Sequence, residues 1–388
     1  MPAVSAAPAP AQSLSERLDR ALVAPGVSRA RTGAFVVELS TGRTVYGLNR
    51  NRSLAPASNQ KLAVALSALD RLGPGYRIQT AVFGHGRRVG TTWRGRLVLK
   101  GYGDPTLTGT DVRTLARAVR NQGITRVTGR IFGDETYYDK RRVGPGWRSS
   151  WYKIESPPLS ALVVSRAKVD GRTVDNPARA AVRRFRDALR ATGVRVLGGI
   201  TVAKAPRGSV FLTRIRSAGL ATLVRRMNKR SDNFFAEMLV KHLGARFRDD
   251  GTTAKGAAVM RRVLARRGVP LDGVRLADGS GLSLHNRLTA RALARLLASA
   301  WADPELRSPL VASLPVAGVD GTLSDRMRSR PARGRIRAKT GTTMNASALS
   351  GYAGSRYVFS ILQNGRRIPW ESARRSQDRF GQALARAL

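Results

Sequence analysis

Pro56-Ala57-Ser58-Asn59-Gln60-Lys61 leads into a run of apolar residues whose spacing is helical. Apolar residues recur at i, i+3, i+4 and i+7, which predicts one buried helical face, and Pro56 stands where a chain is not yet inside a helix. Residues three apart share a face, so the Ser58 hydroxyl and the Lys61 amine are predicted to meet at the start of this helix. The helix dipole would favour an alkoxide or oxyanion there. The predicted apolar face consists of Leu62, Ala65, Leu66, Leu69 and Leu72.

The Ser-x-x-Lys pattern is weakly specific by itself. It occurs three times among only ten lysines, at Ser58/Lys61, Ser150/Lys153 and Ser165/Lys168. The helix that follows distinguishes the first pair from the other two. A solvated serine and lysine at the start of a helix remains the alternative to a catalytic pair.

Composition limits the chemistry. The chain has 388 residues, of which 42% are hydrophobic, and this predicts a folded protein of two or three domains. It contains no cysteine, which excludes disulfides, thiol nucleophiles and cysteine-ligated zinc. The three histidines are far apart in sequence and none belongs to a His-Glu-x-x-His pattern, so we expect neither a metal nor a cofactor.

The net charge of +44 arises from 69 basic residues, mostly arginine, set against 25 acidic residues. One interpretation is a polyanionic partner such as an anionic wall polymer. The other is a broad compositional bias toward arginine on solvated surfaces. The second is favoured because the arginines run through the whole chain and aromatic residues make up only 6% of it. No specific nucleic-acid partner is predicted.

The sequence contains no run of 18 apolar residues, so no transmembrane segment is predicted. Residues 1–12 are rich in alanine and proline, lack a hydrophobic core region and are predicted to be disordered. This segment resembles the sequence that follows a signal cleavage site, although composition alone leaves a cytoplasmic protein open.

The remaining pattern predicts mixed helices and strands. An N-terminal hairpin precedes the Ser58 helix, a β-rich region and two helix–strand pairs follow it, and long helices occupy the chain after Pro206. The end returns to strands and a final amphipathic helix. The predicted strands are Gly33–Leu39, Thr44–Leu48, Arg77–Phe83, Arg96–Lys100, Val127–Phe132, Val194–Val202, Ala346–Gly351 and Arg356–Leu362.

Two further motifs each occur once. Ser231-Asp232-Asn233 precedes a helical segment, where helix capping is the alternative role, and Lys339-Thr340-Gly341 is predicted to precede a strand, where a solvated turn is the alternative. The order Ser-x-x-Lys, Ser-x-Asn, Lys-Thr-Gly resembles the three-part active site of penicillin-binding proteins and serine β-lactamases.

Acyl transfer requires a nucleophile, a base and a proton relay to the leaving group. Ser58 is predicted to be the nucleophile and Lys61 its base. A base must be neutral, and we expect burial and the positive charge of Lys339 to lower the pKa of Lys61. Ser231 is predicted to relay a proton to the leaving amine.

The substrate must also be held. Asn233 is predicted to align the substrate peptide bond, while Lys339 and Thr340 are predicted to bind a C-terminal carboxylate beside Gly341. Resemblance to the penicillin-binding proteins implies that the main-chain N–H groups of Ser58 and Thr342 form the oxyanion hole.

The chain further resembles the D-alanyl-D-alanine carboxypeptidase/endopeptidase family, the class C low-molecular-mass penicillin-binding proteins. The resemblance implies an α/β fold in which a β-lactamase/transpeptidase-like α/β/α domain is split by an inserted β-rich α+β domain. It also implies an extracytoplasmic, penicillin-sensitive serine D,D-peptidase, with peptidoglycan stem peptides as substrates and β-lactams as covalent inhibitors. The matching runs are Gly103–Leu107, Met227–Asn233, Asp278–Ser283, Leu314–Gly318 and Asp320–Leu323.

Ser231 follows Lys61 by 170 positions, which leaves room for the insertion. We therefore expect a transpeptidase-like domain from residues 13–78 and 213–388, with an inserted domain at 79–212. The sequence departs from the family pattern at Leu284 and His285, where many members have an arginine, so the diamino-acid preference stays open. The alternative function is a catalytically idle cell-wall or polyanion-binding protein on the same scaffold.

Overall fold

The computed structural model describes residues 12–388, and the segment predicted to be disordered, residues 1–12, lies outside them except for its last residue. The described chain forms ten α-helices and fourteen strands. The helices are α1 (Leu14–Ala21), α2 (Gln60–Leu72), α3 (Gly109–Asn121), α4 (Pro177–Ala191), α5 (Leu220–Arg230), α6 (Asn233–Arg248), α7 (Thr253–Arg266), α8 (Ala290–Ala302), α9 (Pro304–Ser313) and α10 (Trp370–Arg386). The strands are β1 (Thr32–Glu38), β2 (Thr44–Leu48), β3 (Gln79–Val89), β4 (Thr92–Gly101), β5 (Arg126–Val127), β6 (Ile131–Asp134), β7 (Lys168–Val169), β8 (Arg172–Thr173), β9 (Arg195–Val196), β10 (Ile200–Val202), β11 (Val210–Arg216), β12 (Ile336–Thr343), β13 (Ala346–Ala353) and β14 (Tyr357–Asn364).

The first sheet joins the two ends of the chain. Its strand order is β12-β13-β14-β1-β2, and every neighbouring pair is antiparallel. Successive residues of a strand point to opposite faces. In β1, Val36 accordingly packs with α1 and α10, while Phe35 and Val37 pack with α2 and α8 on the other face. Both faces of this sheet are therefore covered by helices, which confirms the predicted α/β/α layering.

Helix α2 is more deeply buried than its sequence predicted. The spacing predicted one apolar face, but every residue from Gln60 to Leu69 is buried. The reason is that α5, α6, α8 and α9 surround α2 within a single core. The small residues among them, mostly alanine, allow this close packing on all sides.

The second sheet is built from the middle of the chain. Its strand order is β10-β6-β4-β3-β11, and the short β5 and β9 pair at its side. Helices α3 and α4 pack against it in a core of their own. Strand β11 pairs with β3 as far as Gln79 opposite Arg216, so the chain enters and leaves this sheet at one point. We propose that the inserted domain predicted at 79–212 extends to Arg216 for this reason.

Several predicted elements are wrong in detail. The predicted strands Val127–Phe132 and Val194–Val202 are each broken in two around a glycine, which weakens a strand interior. Gly129 packs against Gly95 of β4, and Gly198 packs against Gly129. The Lys339-Thr340-Gly341 motif lies inside β12, although it was predicted to precede a strand. Strand β11 and helix α9 were not predicted, and Pro309 inside α9 disguises the helical pattern there. No helix within residues 12–388 is both long and apolar enough to cross a membrane.

Candidate active site

Ser58 lies in a tight turn directly before α2. The turn, Ala57–Asn59, is a single 3₁₀ turn, so the α-helix begins two residues after Ser58 and not at Ser58 as the spacing suggested. Ala57 adopts a left-handed conformation with φ of 46°, which an alanine rarely takes. The Ser58 side chain is half-buried, whereas its neighbours Ala57 and Asn59 are fully buried. This arrangement presents one hydroxyl at the bottom of a cleft.

The amine of Lys61 contacts three oxygens. Its Nζ lies 2.9 Å from Ser58 Oγ, 2.8 Å from Asn233 Oδ1 and 2.6 Å from the main-chain carbonyl of Ser280. The Asn233 amide oxygen and the Ser280 carbonyl oxygen can only accept hydrogen bonds. A neutral amine has two hydrogens and one lone pair, so both hydrogens go to these two acceptors. The lone pair then faces Ser58, whose hydroxyl donates to it.

Burial is the main reason why the pKa of Lys61 falls to about 8. Asp278 and Glu237 oppose this shift by favouring the charged amine. The contribution expected from the charge of Lys339 stays a prediction. Burial lowers the pKa of Lys339 well below its ordinary value, and repulsion from the charge of Lys61 lowers it further.

Lys339 joins the second and third motifs. It is fully buried in the middle of β12, and its Nζ donates to Ser231 Oγ and to the main-chain carbonyl of Thr340, both at 2.8 Å. Its own main-chain carbonyl accepts from the Asn59 side chain at 3.1 Å. Strand β12 is thereby fixed against the turn that carries Ser58.

Ser231 and Asn233 lie at the junction of two helices. Ser231 ends α5 in a left-handed conformation with φ of 54°, and the Asp232 side chain caps α6 by accepting from the Phe235 N–H. The capping role considered for this motif therefore belongs to Asp232. Asn233, the first residue of α6, is left free to contact Lys61. The sharp turn directs Ser231 toward Lys339 and Asn233 toward Lys61.

The rest of the Lys-Thr-Gly strand borders the cleft. Thr340 Oγ1 lies 2.7 Å from Thr322 Oγ1, and Thr342 Oγ1 accepts from Arg374 at 3.4 Å. Gly341 faces the Ser58 turn, where an added β-carbon would lie 3.0 Å from both Asn59 Nδ2 and the Pro56 carbonyl. A glycine at this position allows β12 to approach the turn. Hydrogen bonds and the shared strand β12 thus bring all eight residues predicted for the site into one cluster.

Sequence reasoning assigned no role to two buried acids behind the site. Glu237 Oε1 accepts from the main-chain N–H groups of Gly279 and Ser280, and this holds the Ser280 carbonyl against Lys61. Burial, with the nearby Asp278 as a lesser cause, raises the pKa of Glu237 to about 8. Glu237 follows Asn233 by four residues on α6, so the helical period was a signal for it.

Asp278 is the centre of the loop that follows. Five donors surround its two oxygens at 2.6–3.0 Å, all of them within hydrogen-bonding distance. Four belong to the loop itself, and the fifth, Trp147 Nε1, comes from the middle of the chain at 2.9 Å. No local sequence pattern indicated this last contact. The donors are the Trp147 indole, the Ser280 hydroxyl, the N–H groups of Gly281 and Ser283, and the Asn286 amide.

A cavity of about 330 Å³ opens beside the Ser58 turn. Leu284, which stands where the family resemblance leads one to expect an arginine, is 48% exposed on its wall. Four arginines from other positions of the chain line the same cavity and supply positive charge there. They are Arg31, Arg52, Arg148 and Arg287.

A transpeptidase-like domain split by a second sheet, with two buried lysines each contacting a serine, defines the class of serine–lysine acyl-transfer proteins. The chain belongs to the D-Ala-D-Ala carboxypeptidase 3 (S13) family, whose family model matches residues 14–172 and 166–387. It is 31% identical to a D-alanyl-D-alanine carboxypeptidase of Actinomadura sp. (strain R39), an alignment that covers 92% of this chain and 82% of that protein. It is 30% identical to carboxypeptidase DacB of Mycolicibacterium smegmatis, over 94% of this chain and 83% of the relative.

The fold has a counterpart among solved structures. Penicillin binding protein 4 (dacB) from Haemophilus influenzae superposes with a TM-score of 0.84 at 22% identity, covering 97% of this chain and 99% of that one. Bd3459, a predatory peptidoglycan endopeptidase from Bdellovibrio bacteriovorus, superposes with a TM-score of 0.55 at 19% identity over 86% of each chain. These likenesses confirm the predicted fold class.

Proposed function

We propose that this protein is a penicillin-sensitive serine D,D-peptidase that acts on peptidoglycan through an acyl-enzyme on Ser58. It cleaves terminal D-Ala-D-Ala, D,D-crosslinks or both. The observation that carries the proposal is the contact between the Ser58 hydroxyl and a buried lysine whose two other contacts are acceptors. Membership of the family and the carboxypeptidase names of its relatives support the substrate class.

Acylation begins when Ser58 Oγ attacks the carbonyl carbon between the last two D-alanines. The serine proton passes to the lone pair of Lys61, and the carbonyl electrons move onto oxygen. Main-chain N–H groups of Ser58 and Thr342 stabilise the resulting oxyanion, and losing one such donor costs on the order of 3 kcal/mol. The C–N bond then breaks, the leaving amine receives a proton relayed through Ser231, and D-alanine departs. Water later releases the acyl group from Ser58.

Asn233, Lys339 and Thr340 hold the substrate in this scheme. The Asn233 amide aligns the peptide bond while its oxygen keeps Lys61 in place. Burial and the nearby charge of Lys61 lower the pKa of Lys339 in the empty site. A substrate carboxylate beside it acts in the opposite direction, because it favours the charged amine. Thr340 offers its hydroxyl at the mouth of the cleft, next to Gly341.

The partners follow from the reaction. Peptidoglycan stem peptides are the substrates, and β-lactams are covalent inhibitors because their ring carbonyl acylates the same serine. Peptidoglycan lies outside the cytoplasm, so the protein acts in an extracytoplasmic compartment. Of the related structures, that of penicillin binding protein 4 from Haemophilus influenzae has been described in complex with a β-lactam, which supports this assignment.

The mass of the intact protein after penicillin treatment tests the proposal. We expect the wild type to gain the mass of one opened penicillin and Ser58→Ala to gain none. Ser150→Ala is the matched control, because Ser150 begins another Ser-x-x-Lys pattern but is exposed. An adduct that persists in Ser58→Ala would overturn the assignment of the nucleophile. Absence of D-alanine release from a D-Ala-D-Ala peptide, with labelling intact, would overturn the peptidase activity itself.

A further inference from the structure

A second cleft lies where the inserted sheet meets the helices around α2. We call it the junction cleft, and its volume is about 440 Å³. Three of the eight tyrosines in the chain line it, together with one histidine and three arginines. These residues come from both parts of the protein: the segment after α2, the ends of β4, β6 and β11, and helix α6. They are Tyr76, Tyr102, Tyr137, His242, Arg77, Arg216 and Arg246.

The junction cleft is distinct from the active site. His242 follows Asn233 by nine residues on α6, and a rise of 1.5 Å per residue separates the two by roughly 14 Å along the helix. None of its residues contributes to the contacts of Ser58, Lys61 or Lys339. Any ligand of the cleft is therefore additional to the proposed chemistry at Ser58, and its binding does not depend on that chemistry.

The floor of the junction cleft is rigid and uncharged. His242 Nδ1 donates to the main-chain carbonyl of Tyr102 at 3.0 Å, so its Nε2 accepts from the Tyr76 hydroxyl at 2.9 Å. Tyr102 and Tyr137 pack edge to face with 5.0 Å between ring centroids, and Tyr137 lies 5.6 Å from the His242 ring. The interlocked rings form a fixed aromatic surface.

That surface also offers polar groups that the described protein does not use. Within residues 12–388, the hydroxyls of Tyr102 and Tyr137 have no hydrogen-bond partner, and both side chains are partly exposed. They remain available to hydroxyl groups of a ligand. Aromatic faces edged by hydroxyls suit a sugar ring, which has apolar C–H faces and a polar rim.

The rim of the cleft is positive. Arg77, Arg216 and Arg246 are exposed, and none forms an ion pair with an acid in the described part of the chain. Two acids lie near the cleft, Asp249 beside Tyr137 and Asp134 beside Tyr102, but Asp134 pairs with Lys100 and neither acid pairs with these arginines. Guanidinium groups bind carboxylate and phosphate in a bidentate manner. Three of them around an aromatic floor favour an anionic ligand over a neutral one.

We propose that the junction cleft binds an anionic saccharide, whose ring packs on the tyrosines and whose carboxylate or phosphate pairs with the arginines. A carboxylated glycan and a phosphate-bearing wall polymer share this chemistry. Three of the arginines that contribute to the net charge of +44 would then belong to a specific binding site and would not be part of a general surface charge.

Isothermal titration calorimetry of the full chain at physiological salt tests the proposal with three probes, and a phosphorylated trisaccharide is added as a fourth to compare the two anions. The three are tri-galacturonate, the neutral galactose trisaccharide, and inorganic polyphosphate of matched charge. We expect tri-galacturonate to bind at least tenfold more tightly than either of the others. A phosphorylated trisaccharide that binds more tightly than tri-galacturonate would identify phosphate as the preferred anion, and the reverse order would identify carboxylate.

Two double variants separate the cleft from general charge. Arg216→Ala/Arg246→Ala should weaken tri-galacturonate binding at least tenfold, while Arg87→Ala/Arg94→Ala removes the same charge from the exposed β3–β4 hairpin and should not. Equal weakening in both would overturn the proposal, as would polyphosphate binding as tightly as the sugar. Tyr137→Leu should also weaken the binding of tri-galacturonate and leave the binding of polyphosphate unchanged. If Tyr137→Leu fails to fold, the arginine pair and the probe ratio still decide the question.

Discussion

Gly281 packs directly against the main chain of Ala57, the residue before Ser58. A β-carbon added at Gly281 would lie 1.9 Å from the Ala57 carbonyl oxygen, and φ of Gly281 is +89°. The loop centred on Asp278 therefore sets the position of the Ser58 turn through a contact that only glycine permits.

Gly281→Ala should abolish penicillin acylation although no catalytic group is removed, because the turn must shift to relieve the overlap. Gly268→Ala is the matched control: its φ is +67°, yet nothing lies within 4 Å of an added β-carbon. Gly268→Ala should leave the acylation rate unchanged and lower the free energy of unfolding by about 1 kcal/mol. Acylation rates and thermal unfolding of both variants check this, and a fully active Gly281→Ala enzyme would refute the role of the contact.

The rate of acylation should rise with pH until Lys61 is neutral. Burial lowers the pKa of Lys61 to about 8, so the reactive fraction grows tenfold per pH unit below that value and levels off above it. The second-order rate constant for penicillin, measured from about pH 6 to 9.5, reports this pKa for the free enzyme. A rate independent of pH over that range would contradict Lys61 as the base.

Lys339→Met should weaken recognition of the carboxylate and leave the pKa of Lys61 at about 8. Burial is the main cause of that lowered pKa, and it stays in place when Lys339 is replaced. Loss of a charge-assisted contact should reduce acylation by a substrate with a free carboxylate roughly tenfold to a hundredfold. The rate of acylation by the corresponding substrate amide should fall much less. A shift of the pH profile in Lys339→Met would contradict burial as the main cause of the lowered Lys61 pKa.

Asp278→Asn should lower the free energy of unfolding by about 3 kcal/mol or more, because an amide nitrogen would face donors that now share a buried carboxylate. Asp175→Asn is the control, since the Asp175 side chain is 71% exposed in its pair with Lys153. That change should leave the free energy of unfolding close to its wild-type value. Urea denaturation of both variants measures the difference, and equal effects would show that the Asp278 network contributes little.

Glu237 should make the protein less stable as pH rises. Its pKa in the folded state is raised to about 8 from the ordinary 4.5. The folded state therefore keeps a proton that the unfolded chain releases, and stability is lost between these two values as pH increases. Glu237→Gln should remove this contribution, because an amide does not titrate. Unfolding free energies across the range should give a flatter profile for the variant, and identical profiles would exclude the shift.

The elements that the sequence predicted well are those with a strong period. The hairpin of β1 and β2, helix α2 and the two helix–strand pairs all follow from apolar spacing and turn residues. Helix α9 and strand β11 were missed because Pro309 in the first and the mostly exposed face of the second obscure the pattern. The predicted site residues were brought together because three short motifs keep their order along the chain. Glu237 and Asp278 belong to none of these three motifs, although the helical period and the matching run Asp278–Ser283 pointed to their surroundings.

The pairing of Ser58 with Lys61 is determined by the sequence itself, since residues three apart meet within one turn whatever surrounds them. The pairing of Lys339 with Ser231, 108 residues away, was decided by the tertiary structure. The tertiary structure also decided the lowered pKa values of both lysines. Desolvation lowers these values only because distant helices and strands bury the two side chains completely. Local geometry is encoded in neighbouring residues, but the removal of water from a charged group requires the whole fold.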